Sequence, residues 1–394
     1  MNWEIKKLGE IGKVCMCKRI LKKQTLPVGD IPFYKIGTFG KTPNAFISKE
    51  VYQEYRSKYS FPKKGDILIS ASGTIGRRVI YDGEPAYFQD SNIVWIDNDE
   101  KEVLNPFLYK FYGFCNWNPS KGATISRLYN DDLRKIEIPA PPLPEQQRIV
   151  SIIDQAFAAI DKAKANAEQN LQNAKELFES YLQGIVSNGD QWEKKTLAQI
   201  AKTFGRGKSK HRPRNWKGLY GGDYPFIQTG DIRNSKHYIT EYSQTYNEVG
   251  LAQSKLWPAG TICITIAANI AETGVLTFDA CFPDSVIGIE VNEKVADREF
   301  VEYLLQSFKV RIQALGKGSA QANINLGTFE NELFPFPPVS EQKEIVDKLN
   351  QLYNECERLE NVFLRKIYDL EELKKSILQK AFAGELETEK ALAI

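Results

Sequence analysis

Two kinds of hydrophobic pattern alternate along this chain. Apolar runs of about five residues, bounded by Gly, Pro, Asn or Asp, mark strands at Asp66–Ser70 and Asn92–Ile96, and again at Thr261–Thr265 and Ser285–Ile289. A helix is expected after each set, near Pro106–Phe114 and Arg298–Leu315. Beyond a proline cluster in each half, apolar or small residues recur three and four apart, the period of a helix seam. The first seam reads Ile149, Ile153, Ala156, Ile160, Ala163, Ala167, Leu171, Ala174, Leu177, Tyr181; the second reads Ile345, Leu349, Leu352, Cys356, Leu359, Phe363, Ile367, Leu370, Leu373, Ile377. A helix of about 40 residues is roughly 60 Å long. Each helix leaves one globule and the first must deliver the chain to the second globule, so an antiparallel coiled coil is the simplest packing.

The two halves are copies. Ile-Pro-Ala-Pro-Pro-Leu-Pro-Glu-Gln-Gln-Arg-Ile-Val at 138–150 returns as Phe-Pro-Phe-Pro-Pro-Val-Ser-Glu-Gln-Lys-Glu-Ile-Val at 334–346. Trp3-Glu4, Leu8 and Ile11 return as Trp192-Glu193, Leu197 and Ile200, and Pro32-Phe33 as Pro225-Phe226. Two copies are too few for a solenoid and suit a pseudo-two-fold molecule with two similar working ends. The expected fold is mixed α/β: two α+β globules with curved or barrel-like sheets, joined by the coiled coil. The expected boundaries are 1–144 and 188–340 for the globules, and 145–187 and 341–394 for the helices.

At 394 residues, 42% hydrophobic and 11% aromatic, the chain has the composition of a folded globular protein. No apolar run approaches the roughly 18 residues that cross a bilayer, and Met1–Lys7 has no signal-peptide core, so the cytoplasm is the expected compartment. The six cysteines are scattered without a CxxC pair, and His211 and His237 are the only histidines, so disulfide frameworks, zinc sites and histidine triads lack material. Net charge is only +2, but residues 1–140 hold 22 Lys/Arg against 16 Asp/Glu, whereas 141–187 and 341–394 are both net acidic. Positive charge on the globules favours a bound polyanion.

Catalytic motifs are imitated rather than present. Phe204-Gly-Arg-Gly-Lys-Ser209 has Lys202 where a phosphate-binding loop needs its first glycine. Pro283-Asp284 with Glu290-Val291-Asn292 puts Asn292 where a metal-dependent nuclease would have lysine, and this segment, like Asp90-Ser91-Asn92 in the first copy, is expected to mark an ordinary strand. The basic clusters are better evidence. Lys18, Arg19, Lys22 and Lys23 in the first copy and Arg206, Lys208, Lys210, His211, Arg212 and Arg214 in the second occupy equivalent loops. Such side chains neutralise phosphates, and arginine also reads guanine edges. A third candidate is Ser70–Arg78, whose glycines let backbone approach a ligand and which offers Ser72, Thr74, Arg77 and Arg78. Its counterpart near Ala267–Gly274 is not basic, so the two ends should read different bases.

These features resemble the specificity subunit of type I restriction-modification systems. The resemblance rests on the Trp-Glu openings, Gly65-Asp-Ile-Leu-Ile-Ser-Ala-Ser-Gly-Thr-Ile-Gly76, Pro-Pro-Leu-Pro-Glu-Gln at 141–146 and the closing Leu373–Leu386 segment, and covers the whole chain. It implies two target-recognition domains, each reading half of a bipartite, asymmetric site in double-stranded DNA, with the helices fixing the gap and docking partners. It further implies a chain without catalysis or bound cofactor. The chemistry would lie in two methyltransferase subunits that use S-adenosylmethionine and two ATP- and Mg-dependent restriction subunits. Ser340 departs from the pattern, standing where the first copy has Pro144. The alternatives are a metal-dependent nucleic-acid enzyme using Asp284 and Glu290, and an adaptor that reads no DNA.

Overall fold

The computed structural model describes residues 3–117, 120–121, 126–187, 189–210, 213, 215–267, 270–316 and 326–386. The chain divides into two compact units, residues 1–168 with 365–394, and residues 169–364. Each contains a globule, the beginning of one long helix and the end of the other.

In the first unit, a four-stranded sheet has the order Gly12–Cys15, Ile93–Asn98, Ile67–Ser70, Arg78–Ile80, with every neighbouring pair antiparallel. A second sheet runs Phe46–Ile47, Ile31–Tyr34, Tyr87–Phe88. The second unit repeats the scheme with a five-stranded sheet, Ala201–Arg206, Val286–Val291, Ile262–Thr265, Thr273–Leu276, Tyr238–Ile239, and a four-stranded one, Gln244–Tyr246, Tyr220–Phe226, Ala280–Cys281, Leu256–Trp257. The sheets are open, so the barrel-like expectation is corrected: strands of only two to seven residues are divided, in each globule, among these two sheets and at least one two-stranded ladder instead of closing one. The expected helices are Asn105–Tyr112 and Arg298–Gly316.

The Trp-Glu openings and the proline clusters prove to be partners. Glu4–Lys7 pairs antiparallel with Glu137–Ala140, and Glu193–Lys195 with Phe334–Phe336. The long helices then begin at Leu143 and Val339. Pro144 falls in the first turn, where its missing N–H costs nothing. The glutamine of each Glu-Gln pair is fully buried. Gln146 accepts from the Leu104 amide (2.8 Å) and donates to the carbonyls of Glu102 (2.7 Å) and Pro141 (2.8 Å). Gln342 accepts from the Asp297 amide and donates to the Pro337 carbonyl, both at 2.7 Å. Each amide therefore ties the first turn of a long helix to the chain that opens the globule's own helix.

Within each unit the two long helices run antiparallel. In the first, Lys164 pairs with Glu371 and Asp161 with Lys374; in the second, Phe178 packs edge-on against Tyr353. The beginning of one helix and the end of the other share the globule's core: Ile149, Ile153, Leu378, Ala381 and Phe382 in the first unit, Leu182, Ile345, Val346 and Leu349 in the second. Leu177, Tyr181 and Leu373 leave the expected seam and are exposed, while Ala174, Leu182 and Leu378 are buried. The physical reason is drift: a straight helix turns about 20° per heptad against a 3.5-residue repeat, so four heptads move the buried stripe by nearly one position.

One buried acid lies apart from these seams. Glu302 is fully buried, accepts from Thr273 (2.8 Å) and Gln306 (3.0 Å), and leaves Oε2 without a hydrogen bond among the described residues. Burial pushes its carboxyl above the ordinary range despite those bonds and nearby His237. The folded chain therefore holds this proton to higher pH than the unfolded chain does. The associated stability is complete below the ordinary glutamate range and is lost as pH rises through the folded value. Glu302→Gln, neutral throughout, is expected to gain stability relative to the wild type as pH rises from the ordinary glutamate range through the folded value. Parallel melting curves over that range would show the gap widening; a constant or shrinking gap would contradict the assignment.

Candidate nucleic-acid interface

The basic segments leave the first strand of the main sheet in both units and come to rest against the same element. That element is the short turn between the small sheet and the main sheet, Gln89–Asn92 in the first unit and Phe282–Ser285 in the second. In the first unit Arg19 Nε sits 2.8 Å from Asp90 Oδ2. In the second, the Gly207 amide donates to the Val286 carbonyl (2.9 Å), and a Cβ on Gly207 would lie 2.2 Å from the Phe282 carbonyl oxygen. The glycine that imitates a phosphate loop is thus required by a close backbone approach. The expectation that Asp90-Ser91-Asn92 and Pro283-Asp284 with Glu290-Val291-Asn292 mark ordinary strands is met by Ile93–Asn98 and Val286–Val291. Asp90-Ser91-Asn92 and Pro283-Asp284 lie just before those strands, in turns that face the basic segment.

Two clefts flank the Gln89–Asn92 turn. One, of about 270 Å³, is lined by Arg19, Lys22, Lys35, Gln89 and Asn92 among others. The other, of about 550 Å³, includes Arg127, Tyr129, Asn130 and Arg134. They meet at Ser91, whose φ of 53° is a left-handed conformation rare for serine. Asn92 Oδ1 accepts from the Ser72 hydroxyl (2.8 Å) and Gln89 Oε1 from the Ile36 amide (2.9 Å). Their amide NH2 ends are therefore the groups that would meet a ligand, and donors of this kind match the acceptors N7, O6 and O4 of the major groove. The guanidinium of Arg127 lies 5.8 Å from the centroid of the exposed Tyr129 ring.

The predicted residues fare unequally. Lys22 and Lys23 are exposed on the turn Lys22–Gln24, Arg19 projects beside it, and Lys18 Nζ lies 5.1 Å from the Tyr59 ring centroid. Thr74 is exposed, whereas Ser72 is buried. Arg77 donates to the Phe39 carbonyl (2.9 Å). Arg78 turns inward, 4.6 Å over the Tyr109 ring, with Nε buried. Ser72 and Arg78 thus serve the globule's structure. Arg206, Lys208 and Lys210 are exposed. Lys208 bears on Lys255, whose ammonium lies 3.4 Å from the Trp257 ring centroid and whose pKa is lowered by burial first and by Lys208 second. His211, Arg212 and Arg214 lie outside the described residues. Lys35, Gln89, Asn92, Arg127, Asn130 and Arg134 escape sequence reasoning because they are scattered over 100 residues; only the turn-forming Asp90-Ser91-Asn92 offered a signal. Of the carboxylates in the nuclease alternative, Glu290 accepts from Thr203 (3.0 Å). No cluster of three metal-ligating side chains occurs among the described residues.

Comparison with known proteins places this geometry in context. The sequence model described as "Type I restriction modification DNA specificity domain" matches residues 1–171 and again 189–367. A putative type I restriction enzyme specificity subunit of Haemophilus influenzae is 58% identical over 180 residues, 46% of this chain and 47% of that one, so that match spans about half the relative's length. The putative MjaX specificity subunit of Methanocaldococcus jannaschii is 24% identical across 98% of this chain and 94% of its own. Among solved structures, a chain from a study of complex assembly and conformational transition of the type I R-M system superposes with a TM-score of 0.74. It has 18% identity and covers 98% of both chains, a likeness of fold.

Proposed function

This chain belongs to the type I restriction-modification DNA specificity family, and from that premise we propose that it is the subunit that selects the DNA sequence and performs no catalysis itself. The observation that carries the reading is the repeated site: in each unit a basic segment lies against the turn joining the two sheets. In the first unit this gathers Arg19, Lys22, Lys35, Arg127 and Arg134 around the amides of Gln89 and Asn92. Cations bind phosphates and fix register, while amides and arginines read base edges. The turns differ in chemistry, Gln-Asp-Ser-Asn against Phe-Pro-Asp-Ser, so each unit reads its own half-site and the whole site is asymmetric.

In this reading the globules within 1–144 and 188–340 are the recognition domains, and the helical segments 145–187 and 341–394 set the gap between half-sites and dock partners. The partners are two methyltransferase subunits, which bring S-adenosylmethionine chemistry, and two restriction subunits, which use ATP and Mg. Among the described residues no helix is long and apolar enough to cross a membrane, and cytoplasmic DNA is the proposed target.

The test is to co-express the chain with its candidate methyltransferase subunit in a methylation-free host and map modified adenines by long-read sequencing. A split motif that depends on this chain is expected; a stable complex that adds no methylation overturns the reading. Asn92→Ala should relax one position in one half-site, with discrimination there falling by about 1–3 kcal/mol. The other half-site should not change. Equal loss at both halves would mean that Asn92 supports structure instead of reading a base.

A further inference from the structure

The Gln89–Asn92 turn meets its cleft with its amide and carboxylate oxygens already engaged by the chain's own donors. Gln89 Oε1 accepts from the Ile36 amide (2.9 Å), Asp90 Oδ2 from Arg19 Nε (2.8 Å) and Asn92 Oδ1 from the buried Ser72 hydroxyl (2.8 Å). A backbone amide can only donate, so the Gln89 side chain has one orientation, with its NH2 end left for a ligand. Arg19, Lys22 and Lys35, which line the same cleft, are donors without an acceptor. The Ser91 hydroxyl, the turn's remaining polar side chain, can donate as well as accept.

Ser72 lies behind the turn and does not line the cleft. The Ala71 amide next to it donates to the Asn92 carbonyl (2.8 Å), and Ser72 forms a β-bridge with Arg127, so the hydroxyl and the asparagine are fixed relative to each other. The second unit keeps this frame but lacks the pair. There the Ile266 amide donates to the Ser285 carbonyl (3.0 Å), which puts Ala267 in the place of Ser72 and Ser285 in the place of Asn92. The frame is thus built without the hydroxyl where there is no amide to brace, and the role of Ser72 is tied to Asn92.

We propose that Ser72 is a positioning residue that makes Asn92 a one-sided donor, so that the first unit selects a keto base, guanine or thymine, where Asn92 makes contact and rejects adenine and cytosine. The inference rests on the function proposed above and deepens it. Guanine O6 and N7 and thymine O4 are acceptors in the major groove, whereas adenine N6 and cytosine N4 carry hydrogens. Asparagine pairs with adenine by donating to N7 while accepting from N6. With Oδ1 held by Ser72, the accepting half of that pair is weakened, and an amino group set against the Asn92 NH2 places donor against donor.

The experiment uses the full chain assembled with its candidate methyltransferase subunit, and synthetic duplexes of the mapped motif that carry each base in turn at the position relaxed by Asn92→Ala. The wild-type complex is expected to bind the guanine or thymine duplex about tenfold or more tightly than the adenine and cytosine duplexes. Ser72→Ala frees Oδ1 and is expected to cut the preference over adenine about tenfold, while Ser72→Thr keeps the hydroxyl and the preference. Asn92→Asp puts an oxygen in place of the NH2 and should turn the preference towards cytosine or adenine; it decides the matter should the Ser72 variants fail to fold. Affinity lost equally for all bases in Ser72→Ala, an unchanged preference in Asn92→Asp, or an amino base selected by the wild type overturns the proposal. A wild-type complex without a split motif defeats the specificity-subunit reading itself, whereas a split motif with adenine or cytosine at this position defeats the present inference alone.

Discussion

Replacing Gln342 with leucine is expected to lower the unfolding free energy by about 3 kcal/mol. The substitution keeps the side chain's approximate bulk but strands the Asp297 amide and the Pro337 carbonyl, both of which Gln342 satisfies at 2.7 Å in a fully buried position. A buried backbone group without a partner costs about 1–3 kcal/mol, and here there are two, partly offset by the apolar gain of leucine. Gln146→Leu should behave alike in the first unit, where three backbone groups lose their partner. Denaturant unfolding of each variant measures the loss. A change below about 1 kcal/mol would mean that the surrounding chain re-satisfies those groups without the amide. Glutamic acid is the informative second substitution: it keeps the acceptor for the Asp297 amide but, ionised, removes the donor to Pro337, and should be at least as damaging because it also buries charge.

Removing the positive charge of the first basic segment should cost binding about as much as losing one buried amide costs stability. With Lys18, Arg19, Lys22 and Lys23 all changed to serine, specific DNA affinity of the assembled complex is expected to fall by about 10²-fold or more, and the slope of log affinity against log salt to flatten by about one per lost phosphate contact. These side chains lie at the surface, so folding should be spared, with one exception: Arg19 holds Asp90 at 2.8 Å and so braces the reading turn. Arg19→Lys separates the two contributions, because it keeps the charge and gives up the fixed geometry of the guanidinium. Unchanged affinity and salt slope in the fourfold variant would remove the segment from the interface and favour an adaptor that reads no DNA.

Much of this was legible in the chain itself. The duplication fixed the number of working units. The proline clusters marked where strand gives way to helix, because each cluster ends a strand that pairs with the Trp-Glu opening. The basic segments were visible as charge runs at equivalent repeat positions. Less legible was the direction in which individual side chains point. Arg77 and Arg78 are neighbours in one basic stretch, yet Arg78 packs over Tyr109 with its Nε buried, a difference set by strand alternation and the helix behind the sheet. The seam was right in period and wrong in phase near Leu177 and Leu373, because a seam written at 3.5 residues per turn accumulates error on a helix of 3.6.

The sequence by itself determined the repeat, the element types, the long antiparallel helices and the family, since these rest on local periodicity and on motifs contiguous in the chain. Only the tertiary structure decided what the motifs are for. It turned the Glu-Gln signature into a buried amide clamp, and the apparent phosphate loop into a glycine pressed against the Phe282 carbonyl. It also gathered Arg19, Lys35, Asn92 and Arg127 around one strained serine. The physical reason is that hydrogen-bond satisfaction and charge proximity are set by atoms brought within a few ångströms by folding, across separations along the chain that no local pattern records.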